Sequence, residues 1–302
     1  PIFPLSIYAH CKGEMLPAIV ERGDFSLSSF SMIKTGIGFR RELKQTILEY
    51  HNSFDCLEII SEQFLSLNQL QKQELAELAS RFILIPHGLS LSIGSVSRPS
   101  QSYLDSIAYL LEIIQPPYYS DHFAITGLTS NLEDIDIGHL SPLWYTEEAL
   151  EVVIKNIQEV QSFLGIQLVL ETITHPFNIP YNSLSQGEFI SKVQQETNCG
   201  ILLDITNIFI NAQNLGGLPE QFIDNLPKDA IKQLHIVGYA EDPQGFLLDT
   251  HSTSIQKELW ELYKYAVSVC QPEFVIIERD EDFPTIDELL RELQLIRQYN
   301  LI

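Results

Sequence analysis

Positive charge is what this chain has least of. Lysine and arginine number 18 against 40 aspartates and glutamates in 302 residues, a formal net charge of −22. An ordinary nucleic-acid surface needs a basic face to displace counterions from phosphate, so nucleic-acid partners are not expected. Cysteine is sparser still: Cys11, Cys56, Cys199 and Cys270 are widely separated and form no CxxC pair. That spacing suggests neither a disulfide framework nor a thiolate zinc site, and it predicts reduced, mostly buried thiols in a cytoplasmic protein. No apolar run approaches the roughly 20 residues that span a bilayer, and the opening PIFPLSIYAHCKGE has neither a basic n-region nor a long apolar stretch. A soluble, unexported protein with no membrane partner is expected. Also missing are a GxGxxG after any strand-like segment, a GxxxxGK[ST] and a GxSxG. Their absence removes the usual signals of a dinucleotide fold, a P-loop and a nucleophile elbow.

What is present is a globular balance, 45% hydrophobic and 19% charged, with eight short β-branched runs at 35–39, 54–60, 82–85, 119–125, 167–171, 200–205, 231–237 and 274–278. Several are continuously apolar, as strands covered on both faces should be. Helical periodicity lies between them. Segment 146–164 puts Leu150, Val153, Ile157, Val160 and Leu164 on one stripe between Thr146 and Gly165. Ser185 with Glu188, and Thr285 with Glu288, have capping-box spacing ahead of helices at about 186–197 and 286–299, and 254–269 carries another apolar face. Eight β units alternating with helices predict an α/β protein, a single (β/α)8 TIM barrel over 35–302 with an N-terminal extension over 1–34 packed on or beside its lower face.

In such a barrel the chemistry sits where strands end and βα loops begin. The third predicted strand runs into His87, the fourth carries Asp121-His122, the fifth ends at Glu171 and the sixth at Asp204, with Asn207 three residues on. The seventh gives His235 and the eighth Glu278-Arg279-Asp280, while the long loop at 238–253 holds Asp249 and His251 and the second strand ends at Glu62. Carboxylates gathered at one rim repel one another unless cations compensate them. His87, His122, His235, His251, Glu171, Asp204, Asp249 and Glu278 are more donors than one octahedral ion can use, so at least two ions are expected. Mixed N/O donors suit iron, manganese or zinc without choosing among them, and Glu62 and Asn207 suit either ligand roles or orienting roles beside the other donors. His10, His51, His139 and His175 lack carboxylate company and read as solvent-facing or structural, and the acids of 133–136 read as a solvated loop.

With HGLSLSIGS, SDHF, LVLET, CGILLDITN, QLHIVGY, LLDTHS and FVIIERD in order, residues 36–297 resemble the multinuclear non-haem iron-dependent oxidative enzymes, formerly a domain family of unknown function. The resemblance implies a xylose isomerase-like barrel with two or three iron ions, held by the eight donors named above. It also implies the use of dioxygen to modify cysteine residues of a ribosomally made precursor peptide, commonly with a partner protein that captures the leader. Glu62, Asn207, Arg279 and Asp280 are then the candidate residues acting beside the metals. The chain departs from the pattern at Tyr239, where many relatives have a histidine, and at Gln63 and Thr172, where they often have asparagine. Two competing readings are a divalent-metal sugar isomerase or epimerase on the same barrel, and a non-enzymatic metal- or peptide-binding protein.

Overall fold

The computed structural model describes residues 33–97, 99–129 and 134–300. The extension expected over 1–34, with His10 and Cys11, lies outside the described residues except at its last two positions.

All eight segments expected as strands form one closed parallel barrel. In chain order its strands are β1 (Lys34–Gly38), β2 (Cys56–Ile60), β3 (Ile83–His87) and β4 (Tyr119–His122); a hairpin of β5 (Ile125–Thr129) and β6 (Asp134–Ser141) follows. The barrel resumes with β7 (Leu168–Glu171), β8 (Gly200–Asp204) and β9 (Ile231–Ile236), and a second hairpin, β10 (Gly238–Glu241) with β11 (Leu247–Thr253), precedes β12 (Phe274–Ile277). Neighbours run β1-β12-β9-β8-β7-β4-β3-β2 and close on β1. The helices are α1 (Lys44–Glu49), α2 (Gln69–Arg81), α3 (Gln101–Ile114), α4 (Glu147–Leu164), α5 (Gln186–Thr197), α6 (Ile205–Leu215), α7 (Pro219–Asp224), α8 (Lys257–Val269) and α9 (Ile286–Tyr299). Among the described residues no helix is long and apolar enough to cross a membrane.

The predicted helix starts follow from local chemistry. Thr146 caps α4 through the Ala149 N–H, and Ser185 and Glu188 form both halves of a capping box on α5. At α9 only half the box forms. Thr285 accepts from the Glu288 N–H, but the Glu288 carboxylate is taken by Ser254 and Arg279 instead. Three expectations are corrected. The span 238–253, read as a loop, contains an antiparallel hairpin with Ala240 opposite Leu248, and the span 122–145 holds another with Gly127 opposite Asp136. The acids of 133–136, read as a loop, open β6 from Asp134 onward. The helix expected from 254 begins at Lys257, because the Ile255 N–H binds Glu292 and the Gln256 side chain turns back to Tyr239 O.

The apolar interior divides in two. The larger part lies between barrel and helices and includes Leu57, Leu84, Leu170, Leu203, Leu234 and Ile277 with Val153, Phe189, Leu259 and Leu293. A smaller cluster of Cys56, Ile85, Tyr118, Val169, Leu202, Phe274 and Ile276 fills the lumen. A strand returns to the same face every second residue, so whatever follows a lumen residue by two points inward one layer higher. This register is what builds the site.

Candidate metal centre

Two residues beyond Ile85, Val169, Leu202 and Ile276 stand His87, Glu171, Asp204 and Glu278, and the same step leads from Ser120 to His122 and from Gln233 to His235. A layer of apolar side chains thus supports a layer of donors at the strand ends. All of these donors are buried: His235 and Asp204 are 0% exposed and His122, the most open of the six, only 6%.

The rings are oriented by what their outer nitrogens touch. Ser120 Oγ donates to Pro86 O (3.2 Å), so it accepts the Nδ1–H of His87 at 3.0 Å. His122 Nδ1 lies 3.1 Å from Gly88 O, a carbonyl that can only accept. Both rings therefore keep a proton on Nδ1 and turn Nε2 inward, where the two nitrogens stand 3.3 Å apart and each 3.2 Å from Glu171 Oε2. Two lone pairs and a carboxylate at that spacing require a proton or a cation between them. Gly88 makes the loop possible, since a Cβ there would fall 1.9 Å from Tyr119 Oη.

His251 is held in the same way from further out. Its Nδ1 meets Asp280 Oδ2 at 3.1 Å, Asp280 N–H donates to His251 O at 3.0 Å, and Arg40 Nε braces Asp280 Oδ1 at 2.6 Å. These contacts fix a left-handed backbone (φ 50°) rarely adopted by a non-glycine residue. Nε2 is thereby aimed at Asp249 Oδ1 (2.9 Å) and Glu278 Oε2 (3.8 Å).

The donors form two groups that share one residue. His87, His122 and Glu171 make the first, and Glu171, Asp204, His235 and Glu278 the second, with the ligand atoms of each within 4.8 Å of one another. Opposite ligands of one ion stand roughly 4 Å apart, so each group is sized for an ion, and Glu171 would touch both. The polar inventory fits this reading. Asp204 Oδ2, Asn207 Oδ1 and His235 Nδ1 are buried without a hydrogen-bond partner, although His235 Nδ1 lies 3.0 Å from Glu278 Oε2 at an angle that makes no bond. Atoms orphaned at such depth are costly unless something outside the protein inventory satisfies them.

Electrostatics points the same way. Burial works against charging His122, yet Glu171 and Asp121 overcome it and push the ring up to about 10; at His251 Glu278, Asp249 and Asp280 push it up to about 12 against the same penalty. Burial alone would raise Glu171, but His235 and His122 hold its carboxyl well below the usual range. Asp204 goes the other way, pushed well up by burial and then by the negative charges of Glu171 and Asp249.

The remaining predicted site residues separate by position. Asn207 lies in the centre: its N–H donates to Asp204 Oδ1 (2.8 Å) and its Nδ2 to Thr172 O (3.1 Å), with Glu171 Oε1 at 3.4 Å. Asp280 holds His251. Glu62 faces away, accepting from Leu89 N (2.8 Å) and Tyr103 Oη (2.7 Å) to pin the loop after β3. Arg279 turns outward to α9, where its Nη2 meets Glu288 at 3.2 Å and Glu292 at 3.3 Å. Tyr239 points to Glu258 on α8. His175, expected to be structural, donates its backbone N–H to Asn211 and is lowered to about 4 by burial, so it is neutral at pH 7. Two residues escape the sequence reading. Arg40 carries no strand-end signature; Glu58, 3% exposed in the lumen, was detectable as the carboxylate set between Leu57 and Ile59 inside the apolar run CLEII.

The family model described as "RiPP precursor modification enzyme MbnB/TglH/ChrH" matches residues 34–300. The chain belongs to this family. Relatives agree along the same length. A UPF0276 protein of Acaryochloris marina is 34% identical over 264 residues, which cover 87% of this chain and 94% of that protein. One of Acinetobacter baylyi is 31% identical over 266 residues, covering 88% and 91%. Solved structures share the fold at lower identity. D-allulose 3-epimerase from Methylomonas sp. is 13% identical with a TM-score of 0.57, covering 89% of this chain and 98% of that one. D-psicose 3-epimerase from Clostridium cellulolyticum H10 is 12% identical with a TM-score of 0.56, covering 89% and 96%. The family is thus one of precursor-peptide modification enzymes, and this member is built on a TIM barrel.

Proposed function

We propose that this family member is a multinuclear non-haem iron oxidase or oxygenase that uses dioxygen to modify cysteine residues of its precursor peptide. The observation that carries the reading is the pair of buried donor groups sharing Glu171, built from imidazole and carboxylate without thiolate. Such donors suit iron, and the absence of a protein thiolate leaves that kind of ligand to a substrate cysteine. His87, His122 and Glu171 would hold one ion, and Glu171, Asp204, His235 and Glu278 another, with Asp249 and His251 beside Glu278 as further donors. Iron bound there supplies one-electron exchange with dioxygen and coordination of a thiolate.

The chain's own residues prepare the site. Ser120 and Gly88 O keep the Nδ1 protons of His87 and His122 and so present Nε2; Asp280 does the same for His251. Asn207 orders Asp204 through its backbone N–H and Glu171 through Nδ2. His251 and Asp249, about one-fifth exposed, are the donors nearest solvent and mark the side open to a peptide. A groove of about 600 Å³ reaches Asp249 between Leu140 of one hairpin and Phe246, Leu247 and Leu248 of the other, and it offers the peptide a path. A leader-binding partner protein completes this reading.

A second reading rests on the second donor group. Three carboxylates with one imidazole also suit Mn(II), and a sugar isomerase or epimerase would need such an ion. One experiment separates the two. Protein purified anaerobically should hold at least two iron ions per chain, show a mixed-valent signal, and consume dioxygen with a cysteine-containing precursor peptide. Manganese or zinc alone, with sugar turnover and no oxygen uptake, would overturn the oxidative reading.

A further inference from the structure

Three of the four imidazoles at the centre share one device: Nδ1 is tied to an acceptor outside the donor layer and Nε2 faces inward. The fourth ring is turned round. His235 presents Nδ1 to Glu278 Oε2 (3.0 Å) and Glu171 Oε1 (3.6 Å), and its Nε2 points down the lumen, where Glu58 Oε2 lies at 2.9 Å. Glu58 reaches it from β2, which is not a neighbour of β9 in the barrel order, so the contact crosses the lumen. Both side chains are buried, Glu58 at 3% and His235 at 0% exposure.

The protons on this contact can be counted. Tyr118 Oη donates to Gln233 Oε1 at 2.6 Å, which fixes the amide and turns its NH2 end toward Glu58 Oε2 and His235 Nε2, the latter 2.7 Å away. His235 Nε2 therefore has an amide donor on one side and a carboxylate on the other. A bare Nε2 would set its lone pair against an ionised oxygen at 2.9 Å and place the ring's one proton on Nδ1, among carboxylates at the centre. An Nε2–H instead makes a charge-assisted bond to Glu58, while one Gln233 N–H satisfies the same carboxylate. Only that arrangement leaves the lone pair of Nδ1 free for a metal ion.

We infer that Glu58 is a positioning residue of the metal centre: its carboxylate holds the Nε2 proton of His235 and commits Nδ1 to the ion shared with Glu171, Asp204 and Glu278. Gln233 and Tyr118 hold Glu58 in turn. A carboxylate behind a metal-bound imidazole fixes the tautomer and raises the basicity of the ligand, and losing such a partner typically costs about 10- to 100-fold in metal affinity. The inference rests on the metal-centre reading but not on the identity of the ion or the reaction.

The test uses the full chain, labelled with ¹⁵N-histidine and loaded with Zn(II) alone. In the wild type His235, assigned through His235→Gln, should show a metal-bound Nδ1 and a protonated Nε2 carrying a strongly downfield proton, the reverse of His87, His122 and His251. Glu58→Gln keeps the shape and removes the charge; it should weaken Zn(II) binding at the second donor group by about 10- to 100-fold and move the His235 proton upfield. A merely structural glutamate would alter thermal stability without moving either signal. Wild-type His235 bound through Nε2, or a folded Glu58→Gln protein within about threefold of wild-type affinity, overturns the inference. If Glu58→Gln does not fold, the wild-type spectrum alone decides it. A wild-type protein that takes up no Zn(II) overturns the metal centre and this inference together, whereas normal uptake with the wrong His235 nitrogen overturns this inference alone.

Discussion

In the metal-free protein His122, His235 and His251 keep protons that a bound metal ion would displace. His122 is pushed up to about 10 and His251 to about 12, against roughly 6.5 in an unfolded chain, and His235 is raised as well. A raised histidine contributes stability that is fully present below the unfolded value and is lost as pH climbs through the folded one. The metal-free chain should therefore lose this contribution between pH 6.5 and about 12, the His122 share by about 10. Metal affinity should climb over the same window, because only the deprotonated rings ligate. Calorimetric titration with Zn(II) near pH 7, in buffers of different ionisation enthalpy, should show net proton release; release of none would mean the rings are already neutral. Glu171 gives the sharpest substitution. As the member of both donor groups, Glu171→Ala should lower metal content at both, whereas Asp204→Ala should spare the group of His87 and His122; metal analysis after loading with excess Fe(II) reads the difference. His87, His122, Glu171, Asp204, His235 and Glu278 were legible in the sequence as candidates because each lies at the end of a strand-like run. The pairing of outer nitrogens was not, because Ser120, Gly88 O and Asp280 become partners only when separate strands are brought together.

At the scale of elements, strand period and helix period place the barrel strands to within three residues at each end, and α5 and α9 match their expected bounds. The two hairpins were hidden for a physical reason: they lie outside the barrel wall on strands with polar, partly exposed residues, without the apolar run that marks a covered strand. Position along the sequence also failed to show which way Arg279 turns after β12. Its guanidinium, with a side chain 3% exposed, pairs with Glu292 of α9, itself raised by burial despite Arg279, and so joins the helix to the barrel rim. Arg279→Met should thus cost about 3 kcal/mol by stranding a buried carboxyl, while metal content at matched loading stays at the wild-type level. Chemical denaturation and metal analysis together check this. Loss of metal at unchanged stability would place Arg279 in the centre after all.

At the scale of the whole molecule, a net charge of −22 surrounds a mouth whose own donors include four carboxylates. Bound cations offset part of that field locally, but the remainder favours neutral or basic peptide segments and slows acidic ones, an effect that should fade as salt rises past about 0.15 M. Charge alone cannot grip a peptide in register, so apolar anchors are needed at the rim. The described surface supplies them. Trp144 is 51% exposed just beyond β6, and Phe246 and Leu248 on the other hairpin are 50% and 44% exposed. Tyr145, which the sequence pairs with Trp144, is 7% exposed, packs on Phe189 and meets His175 through its hydroxyl, so it seats α4 and contributes no surface. Trp144 is then free of a core role, and removing it should change stability by no more than about 0.5 kcal/mol. An aromatic anchor at a peptide interface typically carries about 1–2 kcal/mol or more. Trp144→Ala is therefore expected to raise the Kd for the precursor peptide about 5- to 30-fold with metal content unchanged. Titration of labelled peptide into metal-matched wild type and variant measures this, and equal affinity would move the peptide off this rim.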